Sequence, residues 1–276
     1  MAAAECKAEC KPGKPGKRPL AQRIDEAAAR VVAAGGAHAT TYHTLRPDDA
    51  DDAALIAYLQ QSLLAWYDGQ ADAHAMPWRQ PWDAALGPAA RNQRAYEVWV
   101  AETMLQQTQV ATVRDYYTRW MARWPTLRDL AQADLEAVLQ AWARLGYASR
   151  GKRLLEAAQK VDREMDGVLP RDPATLQRAL PGVGAYTAGA IASIAFNAPA
   201  PLVDGNVIRV LSRVRAVAAD PRTTAATRLW WALAEALLPA ARPGDWNQAV
   251  MDLGRTVCTP RQPRCGACPI RDGCRA

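Results

Sequence analysis

Four thiols fall late in the chain as Cys258-x6-Cys265-x2-Cys268-x5-Cys274, among Pro260, Pro263 and Pro269, which keep the loop from coiling into a helix. The other two cysteines, Cys6 and Cys10, stand apart in the first residues, so the cluster points to metal ligation rather than to disulfides. Four thiolates suit either a zinc ion or a [4Fe–4S] cube, and ligand chemistry alone does not choose between them. Arg255, Arg261, Arg264, Arg271 and Arg275 surround the thiols with only Asp272 opposing. Such a basic loop offsets thiolate charge and is suited to facing phosphates.

A second chemical signal is Leu180-Pro181-Gly182-Val183-Gly184, between two helical patterns. Its glycines allow backbone conformations that a side chain forbids, and the turn then offers amide N–H groups to an anion where the next helix begins. A hairpin of this kind, with Gly182, Val183 and Gly184 at its tip, grips a phosphate without reading sequence. Taken alone it is more often an ordinary helix connection. A formal net charge of +6 and a pI near 9.1 favour a polyanionic partner in the same weak way.

Positioning these groups falls to helices. With 276 residues, 50% hydrophobic and 22% charged, the chain can bury a core in one or two domains. No run approaches the roughly 20 apolar residues of a membrane span, and the start lacks the apolar core of a secretory signal, so the chain reads as soluble and intracellular. Residues 1–47, with CKPGKPGKRPL and an Ala-rich stretch ending at Gly35-Gly36, are expected to be a disordered arm outside the fold. From Asp48 the period is helical: Leu55, Leu59, Ser62, Leu63 and Trp66 form one stripe, with acidic residues from Asp48 to Asp52 at its start. Val98, Ala101 and Leu105 mark another helix, Trp120 and Trp124 a third, and Leu135, Val138, Leu139 and Trp142 a fourth, with Pro125, Gly146 and Pro170 as breakers. Asp172-Pro173 reads as an N-cap and first helical residue, and a further helix runs from about Ala185 to Phe196. No alternating strand pattern is present, and the ten tryptophans are expected mostly in the core.

The hairpin, the segment Leu202-Val203-Asp204-Gly205-Asn206 and the cysteine loop, in that order, resemble the helix-hairpin-helix DNA glycosylases that bear an iron–sulfur cluster, a superfamily that includes endonuclease III. Within it the chain is most similar to the MutY-type adenine glycosylases, in their eukaryotic form. AETMLQQTQV at Ala101–Val110, PGVGAYTAGAIASIAF and NQAVMDLG carry that resemblance, which runs from about Leu63 to Arg275. It implies an all-α, two-lobed fold: a helical barrel lobe at about 85–198 and an iron–sulfur lobe made of about 48–84 plus 199–276, with the cluster loop at 258–274. It also implies that Cys258, Cys265, Cys268 and Cys274 hold [4Fe–4S], which the ligand chemistry left open.

The implied activity is hydrolytic removal of adenine mispaired with 8-oxoguanine or guanine in double-stranded DNA, by a monomer in the nucleus or mitochondrion. Since the target atoms are hidden in the duplex, the nucleotide must be flipped out first. By resemblance Glu102 is the general acid that protonates the purine at N7, and Asp204 lies near the sugar as positive charge develops. An apolar setting of Val98, Ala101 and Leu105 would hold the Glu102 proton near neutral pH. Read by themselves, Glu102 is an ordinary exposed helix glutamate and Asp204 a helix cap. Tyr186 and Asn206 are expected beside Asp204. Gln106, Gln107 and Thr108 match the wedge that enters the duplex, Tyr147 the aromatic that intercalates beside the opposing oxidised guanine, and Arg79 is expected to contact DNA. Where lyases of the superfamily carry a lysine, position 186 is tyrosine, which forms no imine, so no efficient strand cleavage is expected.

Two departures stand out. The family has two tyrosines after the glycine, whereas this sequence reads Gly146-Tyr147-Ala148. Family members also continue into a Nudix-like domain, whereas this sequence runs only two residues past Cys274, and from this a weaker preference for 8-oxoguanine over guanine is expected. The rival readings are an endonuclease III-like lyase, a catalytically impaired mismatch-binding fragment and an electron-transfer protein.

Overall fold

The structure, a computed structural model, describes residues 18–33, 45, 47–70 and 76–276. Cys6, Cys10 and the basic residues around them lie outside the described residues. Among those described, all regular structure is helical, and no helix is long and apolar enough to cross a membrane.

The first helix, α1 (Leu20–Ala33), corrects the expectation that residues 1–47 stand outside the fold. Ile24, Ala27, Ala28 and Val31 recur at helical spacing and are buried, and the Arg23 guanidinium clips to Glu235 at 2.6 Å. Ala27 and Ala28 share that face with Ile24 and Val31, and the Pro-, Gly- and Lys-rich stretch before the helix and Gly35-Gly36 after it mask so short an amphipathic segment in the sequence. Helix α2 (Ala50–Asp68) begins as expected, with the Asp49 carboxylate accepting from the Asp51 and Asp52 amides. Its buried line is Ile56, Leu59, Leu63 and Tyr67 rather than the stripe through Leu55, Ser62 and Trp66. Leu55 and Trp66 stay half-buried at the edge of that line, and the Leu55 and Leu59 side chains abut Gly273, where an added Cβ would come within 2.9 Å of Leu55.

At the centre runs α3 (Pro88–Leu105), whose segment Arg94–Met104 is buried on every side. A helix enclosed in this way shows no single apolar face. It is enclosed by α4 (Val110–Arg123), α7 (Ser149–Met165) and α9 (Ala185–Ala190), which widens into a π turn over Ile191–Ala195. Two short helices, α5 (Leu127–Ala131) and α6 (Leu135–Trp142), close one end. There Trp120 packs edge-on against Trp124 and Trp142, at 4.7 and 5.5 Å between ring centres. Of the stripe expected on α6, only Val138 and Trp142 are buried, while Leu135 is exposed with its neighbours Asp134 and Glu136 in a first turn that faces solvent. Trp78, Trp99, Trp230 and Trp246 are also core residues.

Helix α8 (Pro173–Ala179) is capped by Asp172, which accepts from the Thr175 amide at 2.8 Å. The chain then turns through Leu180–Gly184 into α9. Helices α10 (Gly205–Val214), α11 (Thr224–Ala236) and α12 (Pro243–Thr256) complete the fold, with α1 laid on α11 and α2 on α12. The π turn is fixed from α12, since Asn247 Nδ2 donates to Ser193 Oγ and to the Ala200 carbonyl, each at 2.9 Å. This contact joins the helices around α3 to those that carry Asp204 and the cysteine loop.

Candidate active site and cysteine loop

Glu102 sits in the last turn of α3, and at 4% exposure it is not the exposed helix glutamate that its sequence neighbourhood alone allows. Its carboxyl opens on a cavity of about 450 Å³ that Arg79, Tyr186, Asp204, Asn206 and Asp252 also line. Burial raises the Glu102 pKa above the ordinary 4.5, and the nearby Asp204 and Asp252 charges push the same way. Opposing them, the Tyr186 hydroxyl donates to Oε2 at 2.7 Å and the Arg79 guanidinium lies near; burial outweighs both. Tyr186 also touches the Met251 sulfur at 3.2 Å, and burial together with Glu102 raises its phenol pKa well above 10. At physiological pH the phenol therefore keeps its proton and donates it to the Glu102 carboxyl in a hydrogen bond.

Asp204 does cap α10, as its sequence setting suggests: Oδ1 accepts from the Val207 amide at 2.8 Å. Its other oxygen, Oδ2, accepts from Asn206 Nδ2 at 2.9 Å and lines the cavity, so the cap fixes the carboxylate's direction. Asn206 is held in turn by Arg209, whose Nη2 donates to Asn206 Oδ1 and to the Gly254 carbonyl, both at 2.7 Å. Arg209 Nε donates to the Cys258 carbonyl at 2.8 Å. A continuous chain of bonds thus runs from Asp204 to the first cysteine of the loop.

Helix α12 approaches α10 closely at Gly254, where an added Cβ would lie 2.7 Å from Asn206 Cβ and 3.1 Å from its carbonyl oxygen. Neither atom is the end of a flexible side chain. Gly254→Ala is therefore expected to shift Asn206 and release Asp204 from its direction. It should lower the single-turnover rate by about 10²-fold, on the general scale of a 1 Å displacement at a reacting centre, while circular dichroism shows the helices retained.

In the loop, the short turns Cys265–Ala267 and Arg271–Gly273 bring all four cysteines into one neighbourhood as free thiols. Burial raises the Cys268 pKa, and Cys274, Cys258 and Cys265 add to the effect by their charge. Arg213 Nη1 approaches Cys258 Sγ at 3.2 Å, which offsets thiolate charge. Four thiols gathered in one neighbourhood, with an arginine beside one of them, are a donor set that fits an iron–sulfur group.

The remaining expected residues divide into two groups. Arg79 lies inside the cavity: its Nη1 donates to the Tyr67 hydroxyl and to Asp252 Oδ2, each at 3.1 Å, with both charged side chains almost fully buried. It is placed beside Glu102 rather than on the surface. Thr108 lines the cavity with Glu102, whereas Gln106, Gln107, Tyr147 and the hairpin stand outside it. Gln107 and Tyr147 are exposed, with Tyr147 at 68%, so it is no core tyrosine. Gly182 has φ 79° and needs its missing side chain, and Val183 is buried beneath it.

Sequence reasoning missed Asp252 and Arg209. Asp252 lies in NQAVMDLG on a helix buried almost all round, and a carboxylate there requires a buried cation, a signal that the sequence does carry. Arg209 has no such signal, because its partners come from three separate segments.

Comparison with known proteins matches residues 100–235 to the HhH-GPD superfamily base excision DNA repair protein family and residues 258–274 to the iron-sulfur binding domain of endonuclease III. The chain is 52% identical to a human adenine DNA glycosylase over 98% of its length and 46% of the relative's. It is 44% identical to the adenine DNA glycosylase of Arabidopsis thaliana over 79% of the chain and 36% of the relative. Against the one from Mycolicibacterium smegmatis identity is again 44%, over 75% of the chain and 66% of the relative. The chain spans about half the length, or less, of the first of these relatives. Among solved structures, a thermostable thymine-DNA glycosylase superposes with a TM-score of 0.68 at 25% identity, over 82% of this chain and 98% of that one. A non-covalent endonuclease III–DNA complex, at 23% identity and TM-score 0.57 over 78% and 95%, shares the fold. The cysteine loop is an iron–sulfur binding domain, and the chain belongs to the helix-hairpin-helix (HhH-GPD) superfamily of base excision DNA repair proteins.

Proposed function

We propose that the chain is a monofunctional DNA glycosylase that excises adenine mispaired with 8-oxoguanine or guanine from double-stranded DNA. The observation that carries this reading is Glu102, buried with a raised pKa, sharing one cavity with Asp204 while Tyr186 stands where a lyase needs an amine. Tyr186 holds Oε2, which leaves Oε1 to carry the proton. That proton passes to adenine N7, the bond from N9 to C1′ breaks with its electron pair moving to the base, and Asp204 Oδ2 steadies the positive sugar. Water then adds at C1′ and gives up one proton to the Glu102 carboxylate, which leaves an abasic site and restores the acid.

In this reading DNA enters between the barrel lobe at about 85–198 and the lobe of 48–84 with 199–276. Gly182–Gly184 hold the backbone, and Gln106, Gln107, Thr108 and Tyr147 enter the duplex. A [4Fe–4S] cluster on Cys258, Cys265, Cys268 and Cys274 would serve as a structural tie for the arginine loop. The protein would act as a monomer, in the nucleus or mitochondrion.

The test is single-turnover incubation with an A:8-oxoguanine duplex, followed by alkali and, separately, by borohydride trapping. Alkali-labile product without a trapped adduct is expected. A trapped covalent complex would establish a lyase instead, and binding without product would reduce the chain to a mismatch-recognition module.

A further inference from the structure

Arg150 stands in the first turn of α7 and makes an unusual set of bonds for a half-buried side chain. Its Nη1 donates to the carbonyls of Thr103 at 2.8 Å, Met104 at 3.2 Å and Gln106 at 2.7 Å. Nη2 donates to the carbonyls of Leu145 at 2.7 Å and Gly146 at 3.1 Å, and approaches Thr108 Oγ1 at 3.4 Å. The first set closes the end of α3, whose last carbonyls have no partner within the helix. The second holds the loop that presents Tyr147. One planar fork therefore joins two segments that are about forty residues apart in the chain.

Both segments are strained. Gln107 has φ 57° and Tyr147 φ 44°, the left-handed region that non-glycine residues seldom occupy. Conformations of this kind persist only where the surroundings impose them, and they gather at working sites. At each strained residue the preceding carbonyl, that of Gln106 or Gly146, is one Arg150 holds. The guanidinium also lies over the Trp142 ring at 5.5 Å and near the Tyr147 ring at 6.0 Å, tying the exposed aromatic to the core. The hairpin adjoins the same place, with Pro181 and Gly182 sharing a small cleft with Gln106 and Arg150.

We propose that Arg150 is a positioning residue that locks the Gln106–Thr108 turn and the Tyr147 loop into one rigid unit, so that wedge and ring enter the duplex together. This rests on the reading of those two segments as the parts that enter DNA. Lysine keeps the charge but lacks the fork, with three donors on a rotating point instead of a fixed plane.

The experiment compares wild type, Arg150→Lys, Tyr147→Ala and the double variant. The substrates are a paired A:8-oxoguanine duplex and the same duplex with its adenine in an unpaired bubble. Melting curves accompany the rates, as does the fluorescence of 2-aminopurine placed beside the adenine, which rises when the stack opens. Arg150→Lys is expected to melt as a folded protein and to work on the bubble within about 2-fold of wild type. On the paired duplex it should fall by roughly 10- to 100-fold, the scale of slightly misplaced groups. In that background Tyr147→Ala should add less than about 2-fold, since residues acting as one unit are not additive. Equal losses on both substrates, full additivity, or collapse of the fold in Arg150→Lys would each overturn the proposal. If wild type excises from neither substrate, the reading as a glycosylase fails. The 2-aminopurine signal then still tests Arg150, with an undiminished rise in Arg150→Lys counting against it.

Discussion

Replacing Glu102 by glutamine is expected to stop adenine release, lowering the single-turnover rate by about 10²–10⁴-fold, the usual contribution of a positioned general acid. Glutamine keeps the shape and can still accept from the Tyr186 hydroxyl, so DNA binding should persist. Stability should move the other way. The folded pKa of Glu102 lies above its ordinary 4.5, so from pH 4.5 upward the unfolded chain gives up a proton that the folded chain retains. Stability of the wild type therefore declines as pH rises from 4.5 to the folded pKa, and glutamine escapes that decline. The melting temperature of Glu102→Gln should match wild type below pH 4.5 and exceed it near neutrality. Retained excision in the variant would remove Glu102 from the chemistry, and lower stability at neutral pH would mean that its ionised form is the one the fold needs.

Asp252→Asn should produce the second largest effect, on stability and on pH dependence together. Arg79 and Asp252 form an ion pair with side chains only 8% and 5% exposed. Removing one partner from such a pair leaves a buried charge uncompensated, at a cost of about 3–5 kcal/mol, or on the order of 10 °C in melting temperature for a domain of this size. Loss of the Asp252 charge also lowers the Glu102 pKa by two routes: a like charge disappears, and Arg79 is no longer neutralised. A general acid works only while protonated, so the alkaline limb of the excision rate should move to lower pH. Rates measured from pH 5 to 9 would check this, and an unmoved limb would show that Arg79 and Asp252 do not tune the acid. The same comparison separates tuning from simple unfolding, because unfolding lowers the plateau without moving the limb.

Much of this was legible in the residues alone. Thiol spacing among prolines marked a metal loop, and the glycines around Val183 marked a turn able to meet a phosphate, because these groups act through local geometry that few residue types permit. Helical period and caps were equally local, and Asp49, Asp172 and Asp204 all cap the helices that follow them. Helix α1 was hidden because its short buried face lies between a Pro-, Gly- and Lys-rich stretch and Gly35-Gly36, and the burial of α3 on every side left no period to show its depth. Only the tertiary structure decided that Glu102 is buried, that Arg79 pairs with Asp252 beside it, and that Arg150 joins two loops. Each of those depends on several distant segments converging on one point, and a carboxyl's proton affinity is set by what surrounds it in space rather than by its neighbours along the chain.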